Sequence, residues 1–229
     1  MNLYSIRGGN KTELLKKQYT IGIGISLGNK WFTPENVIEL VKWALPLTKD
    51  KVIIYVADSI HAINLEVRNR ISFEKAKKVA DKMGADILDD VKQRLADQLS
   101  SKDQEKILYV RWEDFVDESY KVKLNYLYSF YKDNLEFKAA VHSIVRSFTS
   151  KEKKNFTDSQ INRLGDYLIE EIPECMNRVE MAGNICDAYA YPFDSEMARL
   201  IEKMQYGEIF PEIKAHIMYT EPKVLLEVS

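Results

Sequence analysis

The sequence predicts an α/β protein: a parallel sheet with helices on both faces. Three observations lead there. Short runs rich in β-branched and aromatic residues, too short for ordinary helices, occur at 19–26 (YTIGIGIS), 51–58 (KVIIYVAD) and 106–112 (KILYVRW). Longer amphipathic stretches separate them. The resulting order, strand, helix, strand, helix, strand, is that of parallel strands joined by crossover helices. Such sheets bind ligands beyond the carboxyl ends of their strands.

The first helix is expected over 34–47, with Thr33 as N-cap and Pro34 at the first position. A long, charged, amphipathic helix follows from Phe73 to Leu99. Further helical patterns cover 117–134, 136–148 and 158–172, and Pro173 is expected to end or kink the last. Two late strands are predicted, NICDAYAY (184–191) and HIMYTEP (216–222). No Pro/Gly/Ser-rich linker and no repeat divides the chain, which predicts a single domain over 1–229.

Composition narrows the function classes. A chain of 229 residues buries a substantial core without disulfides or metals. A net charge of −2 predicts no general affinity for nucleic acid but leaves room for a local basic face. Cys175 and Cys186 sit in apolar-rich surroundings without metal-ligand spacing, which points to a reduced compartment. The opening MNLYSIRGGNK lacks the apolar core of a signal peptide, and no run approaches about 18 apolar residues. A cytoplasmic protein with no membrane partner is expected.

The segment GISLGN, 24–29, closes the first strand and begins with G-x-S-x-G. That pattern marks the nucleophile elbow of serine hydrolases. A hydrolase serine needs a histidine base, itself oriented by a carboxylate. The histidines are His61, His142 and His216; His216 fits the chain order, so a serine esterase using Ser26 and His216 is the alternative reading. Gly22, Gly24 and Gly28 fall one residue off the dinucleotide fingerprint, and Asp58, the acid that ends the second strand, comes too late. A short motif of this kind also occurs as a plain turn.

The C-terminal half adds Tyr167 and Glu171, four residues apart and so on one helical face, followed by Pro173. Tyr191 lies about twenty residues further on, with Asp194 beyond it. A glycine-flanked serine with Asn29 three later, a helical Tyr-x-x-x-Glu, and this later tyrosine resemble the cyclodipeptide synthases in order and spacing, from about Tyr19 to Tyr219. Asn29 is a feature of one subfamily and Tyr191-Pro192 of another; the chain is closer to the Tyr-Pro group. Tyr189 stands close enough to compete for the role of later tyrosine.

The resemblance implies a Rossmann-like fold similar to class I aminoacyl-tRNA synthetase catalytic domains. It implies two aminoacyl-tRNAs as substrates, a cyclic dipeptide as product, and Ser26-linked aminoacyl and dipeptidyl intermediates. No cofactor and no metal are implied, in keeping with a sequence that has no P-loop and no His/Cys cluster. Ser26, Tyr167, Glu171 and Tyr191 take the catalytic positions. Gly22, Gly24, Asn29, Ile54, Glu174 and Asp194 take substrate-binding ones. Glu174 is expected to hold a polar or basic first residue, with Gly22 leaving room beside it. Arg68, Arg70, Lys75, Lys78 and Lys82 form the expected tRNA-binding stripe, and a monomer is expected.

Overall fold

The computed structural model describes residues 1–152, 154–192 and 195–229. In chain order the elements are β1 (Leu3–Arg7), α1 (Lys11–Leu15), β2 (Ile21–Ile25), α2 (Pro34–Ala44), β3 (Val52–Val56), α3 (Asp58–Asn69), α4 (Phe73–Gln98), α5 (Ser101–Gln104) and β4 (Ile107–Arg111). A 3-10 turn (Trp112–Asp114) leads to α6 (Glu118–Asp133), α7 (Leu135–Thr149) and α8 (Asp158–Met176). There follow β5 (Val179–Met181), β6 (Asn184–Cys186), β7 (Ala188–Tyr191), α9 (Glu196–Tyr206), α10 (Pro211–Ile217) and β8 (Val224–Val228).

A six-stranded sheet runs in the order β1-β8-β7-β2-β3-β4, parallel throughout except where β1 pairs with β8. The predicted fold class is the observed one, a mostly parallel sheet with helices on both sides. Strand periodicity decides what each face carries. Ile21, Ile23 and Ile25 point to one face, where they join Ile54 and residues of α2 and α4 such as Val37, Val41, Val91 and Leu95 in one apolar cluster. On the other face Ile53 and Tyr55 pack with Trp112, Phe115, Tyr120 and Cys186. A third cluster unites the bundle of α6 to α10.

Helix starts follow the expected chemistry. The Thr33 hydroxyl accepts from the Asn36 amide at 3.3 Å with Pro34 behind it. A capping box between Thr157 and Gln160 opens α8.

Three local expectations are corrected, and one rejection stands. Pro173 does not end α8, which continues to Met176. Burial of Ile172, Pro173, Glu174 and Met176 holds that turn against the lost backbone bond, and the Asn177 side chain donates to the Pro173 carbonyl at 2.8 Å. The run 184–191 is two strands, because Asp187 breaks it: its carboxylate accepts from the Thr20 amide at 2.9 Å. Cys186 therefore belongs to the β5–β6 ribbon and Tyr189 to the main sheet. The run 216–222 is not a strand: its first two residues end α10, which starts at Pro211, and the strand begins beyond Pro222. Asp58 closes no dinucleotide site. It is 1% exposed and takes Arg111 as its ion-pair partner.

Candidate active site

Ser26 directly follows β2 at the carboxyl end of the parallel strands. The chain then turns, with the Asn29 amide donating to the Ser26 carbonyl at 3.2 Å. Gly28 carries a φ of +83°, a conformation glycine adopts without a steric penalty, and a Cβ there would stand 3.0 Å from the His61 ring. The Leu27 and Gly28 amides have no acceptor among the described residues. Ser26 lines a cavity of about 800 Å³ together with residues of α8, α9, β7 and the start of β8.

Three side chains close on Ser26. The phenol of Tyr167 lies beside Glu171 and Ser26, and that of Tyr191 beside Asn29 and Ser26, each near enough to interact with both neighbours. The Asn29–Tyr191 separation is 3.4 Å, and the Asn29 carbonyl oxygen is held by the Trp31 amide at 3.0 Å. Helical spacing puts Tyr167 and Glu171 on one face of α8, as predicted. Burial pushes the Glu171 carboxyl up to about 8; the Tyr167 phenol opposes this and the neighbouring Glu174 adds to it. Burial also pushes the Tyr191 phenol up to about 12, so it stays a neutral donor at physiological pH. The cavity thus presents a hydroxyl, two neutral phenols and a carboxylic acid poised near neutrality around one point.

Deeper in the cavity lies a second polar group. Glu174, one turn beyond Glu171, is 2% exposed, and Lys223 is 3% exposed. The Lys223 ammonium pairs with Glu174 Oε1, which also accepts from Tyr55 Oη at 2.9 Å. Cys175 Sγ donates to Glu174 Oε2 at 3.4 Å. Gly24 makes room for this arrangement, since a Cβ there would lie 2.8 Å from the Tyr189 ring and 2.9 Å from the Tyr55 ring.

The other predicted site residues divide. Ile54 lies on the opposite, dry face; the pocket residue of β3 is Tyr55, one position on, which pairs with Gly24. A strand's period of two makes that single step a change of face. Gly22 leaves no room, because a Cβ there would meet Cys186 Sγ at 2.4 Å. Tyr189 tilts against Tyr55 and Tyr191 at 6.0 and 5.4 Å, deeper than Tyr191. Asp194 lies outside the described residues. Arg68 and Arg70 sit at the end of α3, and Arg68 lines the cavity and pairs with Glu152 at 2.8 Å. Lys75, Lys78 and Lys82 are exposed on α4, with Lys82 paired to Asp86 at 2.6 Å. His216 is exposed on α10, stacked on Tyr126 at 4.3 Å, and no histidine is among the cavity's lining residues. The esterase reading therefore lacks its base.

Sequence reasoning missed Tyr55 and Lys223. Tyr55 is found only once the β2–β3 register, which sets it opposite Gly24, is known. Lys223 carries no local signal, since a lysine before an apolar run reads as solvated surface.

The fold is a mostly parallel sheet with helices on both sides, and the cavity opens at the carboxyl ends of its strands beside Ser26. The chain belongs to the cyclodipeptide synthase family, whose model matches residues 8–216; members are aminoacyl-tRNA-dependent aminoacyltransferases. A sequence search of curated proteins finds no match. Among solved structures the chain is similar to a cyclodipeptide synthase from Fluoribacter dumoffii, at 21% identity and TM-score 0.70, covering 97% of this chain and 96% of that one. It is similar to a Mycobacterium tuberculosis protein described as showing that cyclodipeptide synthetases are related to type I tRNA synthetases, at 17% identity, TM-score 0.65 and coverage of 87% and 86%. A third is a cyclodipeptide synthase from Candidatus Glomeribacter gigasporarum bound to Phe-tRNAPhe, at 17% identity, TM-score 0.60 and coverage of 92% and 87%. These likenesses show the fold.

Proposed function

We propose that this chain joins two aminoacyl groups, drawn from two aminoacyl-tRNAs, through esters formed on Ser26. The observation that carries the proposal is the convergence of Tyr167, Glu171 and Tyr191 with Ser26 in one cavity, Tyr167 and Tyr191 both beside the serine. The tRNA-bound Candidatus Glomeribacter gigasporarum structure supports the substrate class.

An aminoacyl-tRNA ester is already activated, so a positioned hydroxyl attacks it with less help than an amide requires. Ser26 Oγ bonds to the carbonyl carbon, the bond to the tRNA ribose oxygen breaks, and the serine proton leaves with the tRNA hydroxyl. The Leu27 and Gly28 amides serve the developing oxyanion. For the next product to remain on Ser26, the nucleophile has to be the amine of the bound residue. It attacks the second aminoacyl-tRNA ester, releasing that tRNA and leaving a dipeptidyl ester. The new terminal amine then attacks the Ser26 ester, closing a six-membered ring and freeing the hydroxyl.

Every step holds or deprotonates an α-amino group. Glu171 suits both tasks: as a carboxylate it binds the ammonium, and a carboxyl raised to about 8 takes up a proton near neutral pH. Tyr167 orients Glu171. Tyr191, rather than the deeper Tyr189, assists cyclisation by donating near the Ser26 ester. Lys75, Lys78 and Lys82 contribute to tRNA binding from α4. Incubation with one labelled aminoacyl-tRNA, then denaturation and intact-mass measurement, tests the reading. One aminoacyl adduct is expected on the wild-type chain and none on Ser26→Ala; an adduct that survives in Ser26→Ala overturns it.

A further inference from the structure

In the Ser26 reading above, Glu171 holds the amino group of the bound residue; Glu174 stands one turn further along the same helix and lines the same cavity, within reach of that residue's side chain. The carboxylate there already has a full set of partners: Lys223 and Tyr55 on Oε1, Cys175 on Oε2. Lys223 lies outside the residues that the family model matches. It is held by its backbone, its amide donating to the Met176 carbonyl at 3.5 Å and its carbonyl accepting from the buried Gln205 side chain at 3.3 Å. Gln205 also donates to the Met176 carbonyl at 3.1 Å, so the end of α8 and the start of β8 are pinned together. The pair is preorganised by the fold. Among the described residues Glu174 Oε1 is the acceptor that the Lys223 ammonium reaches, and that ammonium has three donors.

We infer that the Glu174–Lys223 pair sets the specificity of this pocket, selecting as first residue one whose side chain is uncharged and accepts a hydrogen bond: an amide, a hydroxyl or a neutral imidazole. The inference rests on the Ser26 reading above. A cationic side chain meets the Lys223 ammonium, and reaching Glu174 requires displacing Lys223 and leaving it buried without a partner. An anionic side chain adds a third carboxylate to Glu171 and Glu174. An apolar side chain seals off the ammonium donors and satisfies none of them. An uncharged acceptor meets the ammonium without disturbing the pair. This revises the expectation that Glu174 grips a basic residue, since the chain supplies the counter-ion itself.

The test loads the purified full chain with tRNAs charged with single amino acids and reads the Ser26 adducts by intact mass, alongside thermal melts. Wild type is expected to load Asn, Gln, Ser, Thr or His in preference to Lys, Arg, Asp, Glu and Leu. Lys223→Met releases the Glu174 charge, and loading of Lys or Arg relative to the uncharged polar residues is expected to rise on the order of tenfold or more. Lys223→Met/Glu174→Met removes both charges, a change buried pairs tolerate, so it keeps the test valid should the single variant unfold. It is expected to shift loading towards Leu by a similar factor. Wild-type loading of Lys or Arg as the preferred residue overturns the inference, and so does a double variant whose profile matches wild type. If no aminoacyl-tRNA leaves an adduct on wild type, the Ser26 reading falls and takes the inference with it. Adducts indifferent to both variants sink this inference alone.

Discussion

The strand Ile21–Ile25, IGIGI, has two faces that differ in kind. Its isoleucines are 0% exposed against α2 and α4, in a cluster built from aliphatic and aromatic side chains. Its glycines yield their volume to others: Cys186 covers Gly22, and Tyr55 and Tyr189 crowd Gly24. On the glycine face the protein buries phenols, a carboxylic acid and an ion pair. The contrast teaches that the isoleucine face supplies the stability against which the glycine face holds costly polar groups in fixed positions. The right-sized absence of a side chain is what admits the chemistry.

The sharpest break in that comparison is Ser26→Ala. It is expected to lower cyclic dipeptide formation, measured by mass spectrometry, by about 10³-fold or more. An unchanged rate would move the chemistry off the glycine face altogether.

On the dry face, Ile23→Ala leaves a cavity and is expected to cost about 2–5 kcal/mol in denaturant unfolding. Its rate per folded molecule should stay near wild type; a loss of rate with stability intact would erase the division between the faces.

Glu171→Gln is expected to lower the rate by about 10²-fold. It also changes the pH dependence of stability. The unfolded chain releases the Glu171 proton near 4.5, and the folded chain holds it up to about 8. Folded protein therefore binds more protons between those values, and this contribution to stability is complete below about 4.5 and lost as pH rises through about 8. Urea midpoints taken across that range should fall more steeply for wild type than for the Gln variant; parallel curves would show that burial does not hold the proton.

Gly24→Ala crowds Tyr55 and Tyr189. It is expected to cost about 1–3 kcal/mol and to reduce product as well, unlike the Ile23 variant. Melting temperature and product yield read side by side distinguish the two faces at adjacent positions.

The smallest effect lies outside both faces. Reversing Lys75, Lys78 and Lys82 to Glu is expected to weaken tRNA binding and to lower its salt slope by about one for each phosphate that is no longer neutralised. Equal affinity across salt titrations would leave the α4 stripe as solvated surface.

Much of this was legible in the chain. The parallel strands β2, β3 and β4 were read from apolar runs bounded by turn residues, α2 from its Thr33 cap and Pro34, and α8 from its helical pattern. Ser26, Tyr167, Glu171 and Tyr191 were named because their order and spacing resemble those of a known family, and spacing along a chain is a local property. What stayed hidden was non-local. The break at Asp187 depends on a bond to Thr20, far off in sequence. The choice of Tyr55 over Ile54 depends on the register between β2 and β3.

By itself the sequence determined the spacing that sets Tyr167 and Glu171 on one helical face and the alternation that sends Ile23 and Gly24 to opposite faces, because backbone geometry repeats at fixed short periods. Only the tertiary structure decided that α8 runs through Pro173 and keeps Glu174 in line with Glu171, and that Lys223 arrives beside it from the start of β8. A proline's effect and a buried lysine's partner are set by packing between elements distant in the chain. Local spacing holds no record of it, and in the low-dielectric interior each buried charge depends on that meeting for its partner.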